Sequence, residues 1–285
     1  MRVGFIGLGN IGRPMALRLV QAGLDTVVFD LADAPCRELE AAGARVASSC
    51  AEAVREADII GVCVRDDADV REVTTGPGGV IEAAQPGAIV ALHSTILPST
   101  VREVASAAAE RGVGVVDAPI AGGAMGAERG TLTYMVGGDA ELVERCRPMF
   151  EASAAKIVHT GPLGSGATMK LCHSIMTYLG FLAAFEATLL ARHAGLSQEA
   201  LEEVTRSSGM MNDQTLAFVR MRRVAEERLD DDSLQALLRS ITALAEKDLA
   251  LTLALAREHG VALPGSALCQ QLMARVYGLA DDKRR

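Results

Sequence analysis

Aromatic residues are scarce in this chain of 285 residues. Tryptophan is absent, and three Tyr and six Phe bring the aromatic fraction to only 3%. A stacking platform for single-stranded nucleic acid needs several aromatic side chains, so this composition argues against one. The formal net charge of −8 argues in the same direction, because a polyanionic partner requires an excess of positive charge. We therefore expect no nucleic-acid partner.

Signals for metals, secretion and membranes are also lacking. The six cysteines form no C-x-x-C pair, and no metal-ligand spacing such as H-E-x-x-H occurs, so we predict no metal site. The first residues show no basic region or cleavage site of a signal peptide. The most apolar stretch, Ile175 to Ala191, contains Glu186 and is shorter than a span of roughly 20 residues, so we expect a buried helix and no membrane partner. Together these features predict a cytoplasmic protein.

The first half of the chain alternates β-rich runs with amphipathic helical segments, which predicts βαβ units and a mostly parallel sheet. The predicted strands are Val3–Ile6, Thr26–Phe29, Ile59–Val64, Ala88–Leu92 and Val113–Val116, with Thr131–Val136 and Lys156–His159 as candidates to extend the sheet. Beyond about residue 161 the pattern is helical, over Thr168–Ala194, Gln198–Ser207, Asn212–Glu227, Ser233–His259 and Gly265–Leu279. The sequence therefore predicts an α/β domain over residues 1–161 and an all-α domain over residues 162–285.

A glycine-rich motif, G-x-G-x-x-G, follows the first predicted strand and opens a helical segment; its residues run Gly7, Leu8, Gly9, Asn10, Ile11 and Gly12. In this context the motif predicts a dinucleotide site, because the glycines let a pyrophosphate approach the backbone at a helix N-terminus. Asp30 ends the second strand, where a carboxylate accepts hydrogen bonds from ribose hydroxyls and repels a 2′-phosphate. We predict NAD rather than NADP. The alternative is a glycine-rich turn with a solvated aspartate.

Three further segments carry candidate chemistry. Ser94 and Thr95 end a strand, where Thr95 could face a nicotinamide or its ribose; alternatively, both residues only cap the next helix. After another strand, the glycines of the loop from Asp117 to Gly126 expose N–H groups that suit a carboxylate, unless the loop is purely structural. Lys170 lies on the first turns of the long helix on an apolar face, which fits either a proton-transferring lysine or a structural ion pair.

These residues resemble the β-hydroxyacid dehydrogenases, the 3-hydroxyisobutyrate dehydrogenase-like family of the 6-phosphogluconate dehydrogenase superfamily. Four blocks match the family's motifs in order: the cofactor motif from Gly7 to Met15, the substrate motif from Asp117 to Thr131, the lysine motif from Gly164 to Ser174, and the K-D-L motif at residues 247–249. The resemblance implies an α/β N-terminal Rossmann domain, an all-α C-terminal domain, a long interdomain helix joining them, and a homodimer or homotetramer.

The resemblance also implies a reaction and its residues. Hydride passes between NAD(H) and a β-hydroxyacid or related carbonyl compound, and Lys170 is the general acid or base. The cofactor-binding residues implied, together with those predicted above, are Gly7, Gly9, Asn10, Ile11, Gly12, Asp30, Val64, Arg65, Thr95 and Lys247. The substrate-binding residues are Ala121, Gly122, Gly123, Ser174, Ser240 and Asp248, with the N–H groups of Gly122 and Gly123 holding a carboxylate.

Five residues at four sites depart from the family's usual residues. Ala121 stands where Ser is usual, Ser174 where Asn is usual, and Ser240 where Phe is frequent, while Val64-Arg65 replaces a common Leu-Pro beside the cofactor. Lost hydroxyl and amide contacts change specificity by large factors, so we expect a larger and differently polar pocket. Two alternatives stay open: an imine reductase-like enzyme, although such relatives usually carry Asp or Tyr at the position of Lys170, and a non-catalytic NAD(H)-binding module.

Overall fold

The computed structural model describes residues 1–279, and the chain divides into two compact units. The first unit comprises Met1–Lys170, and the second begins at Leu171. The first unit is α/β and the second is helical, and the long helix predicted from the sequence links them. The predicted fold class is therefore confirmed, whereas the boundary near residue 161 stays a prediction.

A nine-stranded sheet forms the centre of the first unit, with the strand order β3-β2-β1-β4-β5-β6-β8-β7 and β9 paired with β8. The strands are β1 Arg2–Ile6, β2 Asp25–Phe29, β3 Arg45–Val46, β4 Ile59–Val62, β5 Ile89–Leu92, β6 Gly114–Asp117, β7 Ile120–Ala121, β8 Leu132–Gly137 and β9 Ala154–Gly161. Strands β1 to β6 pair in parallel, and β8 pairs antiparallel to β6 and β7. All seven predicted strands are present, and β4 ends two residues earlier than predicted.

Eight helices cover this sheet: α1 Gly12–Gln21, α2 Asp33–Ala41, α3 Cys50–Val54, α4 Asp67–Thr75, α5 Val80–Ala83, α6 Pro98–Ala109, α7 Gly123–Arg129 and α8 Ala140–Glu151. Two apolar clusters of buried side chains lie in this unit, one containing Phe5, Met15 and Phe150 and the other Ile60, Val90 and Val104. Because β1, β4 and β5 are covered on both faces, their residues form nearly continuous apolar runs.

The remaining helices are α9 Ser165–His193, α10 Gln198–Ser207, α11 Asp213–Glu227, α12 Asp232–Glu258 and α13 Pro264–Tyr277. The core of the second unit includes Tyr178, Phe181, Phe218 and Leu249, and the rings of Phe181 and Phe218 stack at a centroid distance of 4.5 Å. Five of the nine aromatic residues in the sequence lie in or against this core: Tyr178, Phe181, Phe185, Phe218 and Tyr277.

Helix α9 corrects one expectation. It is 29 residues long, and by length and composition it could cross a membrane, yet only 22% of its most apolar window is buried. Met176 is 77% exposed and Leu190 is 72% exposed, so the expectation of a buried helix is wrong for the single chain. The physical reason is that apolar residues surround the whole helix, while its own chain covers only one side.

Candidate active site

The ends of four parallel strands lie in register and form one row at the carboxyl edge of the sheet. Ile6 pairs with Val62, Val62 with Leu92, and Leu92 with Asp117. The residues that follow these ends include most of the predicted site residues of the first unit. Ligands of open α/β sheets bind at this edge, so the row defines where the candidate site lies.

The glycine-rich loop connects β1 to α1. Gly7 has φ +92°, and its N–H donates to Phe29 O at 3.0 Å, which turns the chain sharply after the strand. A Cβ at Gly12 would overlap Gly7 O, whereas one at Gly9 would meet no atom within 4 Å. Helix α1 begins at an N-cap, Ile11, that supplies no side-chain cap. The loop thus combines close packing at Gly12 with open space at Gly9 beside a helix N-terminus, as a pyrophosphate site requires.

Asp30 lies directly after β2, beside this loop. Its Oδ2 accepts from Leu8 N at 2.6 Å, and its Oδ1 accepts from Ala32 N at 2.8 Å. The carboxylate is therefore fixed by the loop itself, and each oxygen keeps a lone pair for a further donor. The neighbouring Leu31 side chain is 94% exposed. An acidic group therefore lies beside the glycine-rich loop, with an apolar side chain next to it.

Val64, Arg65 and Thr95 follow β4 and β5. Ser94 Oγ accepts from Val64 N at 3.0 Å and donates to Val64 O at 2.8 Å, which ties the two strand ends together. Arg65 is largely exposed, and its guanidinium makes two bonds to Asp69, at 2.6 and 2.9 Å. Thr95 lies between β5 and α6 and is partly buried.

The alternative that Ser94 and Thr95 cap α6 is wrong. The N-cap residue of α6 is Leu97, which has no capping side chain of its own. Instead, Asp67 Oδ1 accepts from Leu97 N at 2.9 Å and from the Thr100 hydroxyl at 2.6 Å. Pro98 occupies the first turn of the helix, and the hydroxyl of Ser94 is engaged by Val64 instead.

The glycine loop after β6 contains the predicted carboxylate-binding residues. Ala121 ends β7 and pairs with Thr133, and Gly122, with φ +122°, is the N-cap residue of α7. Gly122 is exposed and Gly123 is partly buried. The N-cap supplies no side chain to the N–H groups of α7, so the local geometry fits an anionic ligand group.

Asp117 itself was not predicted to have a role, and the structure gives it one. It is only 1% exposed; its Oδ1 accepts from Gly164 N at 2.7 Å, and its Oδ2 accepts from Ala167 N at 2.6 Å. Burial raises the pKa of this carboxyl above its ordinary value, while the backbone N–H groups oppose that shift. Asp117 thereby holds the start of α9, on which Lys170 follows as a partly buried side chain.

The other predicted residues belong to the second unit. Ser174 on α9 is 2% exposed, and Asp248 on α12 is also 2% exposed. Lys247 Nζ lies 2.9 Å from Asp248 Oδ1, in a geometry that does not make a hydrogen bond. Ser240 lies on the exposed side of α12. Asp248 is thus covered by its surroundings, and Lys247, with 23% of its side chain exposed, is the more accessible of the pair.

Tyr178 is a residue that the sequence analysis did not select. Its hydroxyl donates to Asp248 Oδ2 at 3.2 Å, and burial together with the Asp248 charge raises the pKa of Tyr178 well above its ordinary value. Its spacing of eight residues from Lys170 and four from Ser174 could have indicated a shared helix face. The partner, 70 residues away, could not be inferred from spacing.

Each of the two units matches a known family model. Residues 2–161 match the model of the NAD binding domain of 6-phosphogluconate dehydrogenase, and residues 164–284 match that of the NAD-binding of NADP-dependent 3-hydroxyisobutyrate dehydrogenase. The chain belongs to the β-hydroxyacid dehydrogenase family. The resemblance seen in the sequence is confirmed, and the class of activity that goes with this family is NAD-linked oxidoreduction of hydroxyacids.

Individual relatives match most of the length of the chain. An NAD-dependent L-serine dehydrogenase of Pseudomonas aeruginosa is 40% identical over 73% of the chain and 70% of its own length. A 2-(hydroxymethyl)glutarate dehydrogenase of Eubacterium barkeri is 32% identical over 99% of the chain and 92% of its own. The crystal structure of a 3-hydroxyisobutyrate dehydrogenase from Salmonella typhimurium superposes with a TM-score of 0.84 at 28% identity, covering 96% of this chain and 93% of that one.

Proposed function

We propose that the protein is an NAD-preferring dehydrogenase of β-hydroxyacids in which Lys170 is the general acid or base. The single observation that carries this proposal is a shared edge. The glycine-rich loop follows Ile6, and the start of the helix that bears Lys170 is hydrogen-bonded to Asp117. Ile6 and Asp117 belong to the same row of strand ends. A dinucleotide loop and a lysine near one sheet edge suit a hydride transfer coupled to a proton transfer.

The loop and Asp30 fit an NAD molecule. Open space at Gly9 accommodates a pyrophosphate, and the fixed carboxylate of Asp30 can accept ribose hydroxyls. A 2′-phosphate would meet this carboxylate and, next to it, the exposed apolar side chain of Leu31. When bound, the nicotinamide supplies or accepts the hydride. Among the other predicted cofactor residues, Asn10, Ile11, Val64, Arg65 and Thr95 follow strand ends of the same sheet, and Lys247 lies on α12.

Lys170 has the chemistry that the proton transfer requires. In the direction of oxidation, Nζ of a neutral lysine accepts the hydroxyl proton of the substrate; in the direction of reduction, the ammonium returns it to the carbonyl oxygen. The N–H groups of Gly122 and Gly123 hold the substrate carboxylate, and Ala121, Ser174, Ser240 and Asp248 complete the predicted substrate-binding set. The small side chains at positions 121, 174 and 240 favour a substrate with a larger substituent than the family's usual residues allow.

The substrates that name the relatives share one chemical core. L-serine, 3-hydroxyisobutyrate and 2-(hydroxymethyl)glutarate are all 3-hydroxypropanoates with different groups on carbon 2. We take this core as the substrate class: a primary alcohol whose CH₂OH carbon is bonded to carbon 2, the carbon that bears the carboxylate. The substituent at carbon 2 is the part that distinguishes one substrate from another.

The exposed apolar surface of the second unit supports assembly into a homodimer or homotetramer. Met176, Leu190 and Met210 are each more than 70% exposed, and apolar side chains this open favour burial against another chain. A second copy covering α9 would account for a helix that is apolar on all sides without a membrane. We place the enzyme in the cytoplasm, and light scattering of the purified protein tests its mass.

Turnover measurements with Lys170 variants test the function. The wild-type protein should oxidise at least one member of a panel of 2-substituted 3-hydroxypropanoates with NAD. Lys170→Ala should lose at least about 100-fold in kcat, the usual scale for general acid–base groups, while calorimetry still detects NADH binding. Lys170→Arg keeps the positive charge but cannot be deprotonated, so it should fail as well. Unchanged turnover in Lys170→Ala contradicts the proposal.

A further inference from the structure

The start of helix α9 is fixed to the sheet at three adjoining points. The carboxylate of Asp117 receives two backbone N–H groups, one from Gly164 before the helix and one from Ala167 in its first turn. A Cβ at Gly166 would overlap Met135 O, and one at Gly137 would meet Asp117 Oδ1. The hydroxyls of Thr160 and Ser165 are 2.7 Å apart. Backbone therefore packs directly on backbone here, which explains why the motif around Ser165 has glycine on both sides.

The arrangement also suits the charge of Asp117. The N-terminus of a helix carries a partial positive charge, and a carboxylate that accepts its free N–H groups is stabilised there. The cap comes from a strand 47 residues away rather than from the residue before the helix, so it sets where the helix begins as well as satisfying its N–H groups. Lys170 follows Ala167 by three residues, within one turn.

The same strand end leads into the predicted substrate loop. Asp117 is followed by Ala118 and Pro119, and the chain then reaches Ala121, Gly122 and Gly123. Ala118 N donates to Leu92 O at 2.8 Å, and Met135 N donates to Pro119 O at 3.0 Å, so the loop leaves the sheet from a fixed point. The base of the carboxylate-binding loop and the start of the lysine helix are thus joined through one side chain.

We propose that Asp117 is a positioning residue that fixes the distance between Lys170 and the glycines that hold the substrate carboxylate. This inference rests on the proposed function, because it assigns Asp117 an effect that acts through Lys170. An aspartate suits the role better than an asparagine. Both its oxygens accept, whereas an amide would direct an NH₂ group at one of the two backbone N–H donors.

A double-mutant cycle separates positioning from a general structural effect. Asp117→Asn should lower kcat by about 10- to 100-fold, the scale of a small misplacement of a catalytic group, while the Kd for NADH changes by less than about threefold. In a Lys170→Ala background the same substitution should cost nothing further, because there is no lysine left to misplace. Equal losses in both backgrounds overturn the positioning role.

Asp139→Ala is the matched control. Asp139 caps α8 in the same unit by accepting from Glu141 N at 2.9 Å, but its helix carries no predicted site residue. The substitution Asp139→Ala should lower the melting temperature of the protein without changing kcat. If Asp139→Ala lowers kcat as much as Asp117→Asn, loss of a capping carboxylate alone explains the effect and the inference fails.

Hydrogen exchange of the wild-type protein supplies a test that does not depend on whether a variant folds. The amides of Gly164 and Ala167, labelled with ¹⁵N-glycine and ¹⁵N-alanine, should be strongly protected. Exchange as fast as that of solvent-exposed amides overturns the inference. The two proposals remain distinguishable: full turnover of Lys170→Ala overturns the function, whereas loss in Lys170→Ala with full turnover of Asp117→Asn overturns only the positioning role.

Discussion

The imidazole of His93 is hydrogen-bonded to the backbone carbonyl of Ala118 at the base of the candidate site. Nδ1 lies 2.9 Å from Ala118 O, and since a carbonyl only accepts, Nδ1 carries the proton. Nε2 is buried with no hydrogen-bond partner in the part of the chain that the structure describes. The ring is packed among Phe5, Tyr134 and Phe150. A neutral histidine therefore connects the end of β5 to the start of the predicted substrate loop.

This histidine predicts a loss of stability in mild acid. Burial lowers the pKa of His93 from 6.5 to about 4. Below pH 6.5 His93 becomes protonated in the unfolded chain, whereas in the folded chain it stays neutral until the pH approaches 4. The contribution of His93 to the free energy of unfolding is therefore greatest above pH 6.5 and is lost as the pH falls towards 4. Between pH 7.5 and pH 5 this one group should lower the free energy of unfolding by about 2 kcal/mol.

Urea unfolding at the two pH values measures the effect, and His93→Asn is the control. Asparagine can place an NH₂ group near the position of Nδ1 but does not titrate in this range. Its stability should be lower at both pH values because ring packing is lost, yet its dependence on pH should be weaker by about the same 2 kcal/mol. An equal pH dependence in both proteins contradicts the assignment of a neutral, buried His93.

Substitution by alanine should have different effects at two glycines of the predicted nucleotide loop. At Gly12 a Cβ would overlap Gly7 O and lie 3.3 Å from Cys63 Cβ, so Gly12→Ala should lower the melting temperature of the cofactor-free protein. At Gly9 no atom lies within 4 Å of the added Cβ, so Gly9→Ala should melt like the wild type. Gly9→Ala should nevertheless bind NADH at least about tenfold more weakly, because the pyrophosphate approaches the backbone there. Thermal melts and NADH calorimetry check both, and a destabilised Gly9→Ala would contradict this reading of the loop.

Features that depend on a local sequence pattern could be predicted, whereas hydrogen bonds between residues far apart in the chain could not. Seven strands were predictable because each is a β-rich apolar run, while β3 and β7 were missed because two residues are too few to show a period. Gly7 and Asp30 could be predicted as nucleotide-site residues because their context in the sequence is local. The bonds of Asp117 to Gly164 and of Tyr178 to Asp248 join residues 47 and 70 positions apart, and such pairings depend on the folded topology.

Helix α9 shows the opposite kind of error. Its apolar composition predicted the helix itself, but composition does not tell whether the chain's own helices or another molecule covers each side. Met176 and Leu190 are exposed in the single chain although their residue types resemble those of a core. Burial of such a helix depends on packing partners that lie outside its own sequence.

The acidic end of β2 predicts the cofactor preference. Asp30 should favour NADH over NADPH in kcat/KM, because its carboxylate accepts ribose hydroxyls and repels a 2′-phosphate. The pair Asp30→Asn and Leu31→Arg removes the charge and adds a guanidinium at a side chain that is 94% exposed, so it should shift the ratio towards NADPH by about tenfold or more. Replacing Leu31→Arg by Leu31→Gln supplies a long polar side chain without the charge and should give a smaller shift. A wild-type preference for NADPH would contradict the role of Asp30.

The hydroxyl of Tyr178 should stabilise the helical unit through Asp248. Both residues are buried, and the hydroxyl is a hydrogen-bond donor to a carboxylate that has little contact with water. Tyr178→Phe should lower the free energy of unfolding by about 1–3 kcal/mol, since it leaves a buried acceptor without this donor. In an Asp248→Ala background the same change should cost much less, with a coupling of about 0.5–3 kcal/mol in a double-mutant cycle. Urea unfolding followed by circular dichroism measures all four proteins. If the two substitutions add independently, the contact contributes nothing, and the burial of Asp248 must be stabilised by other groups around it.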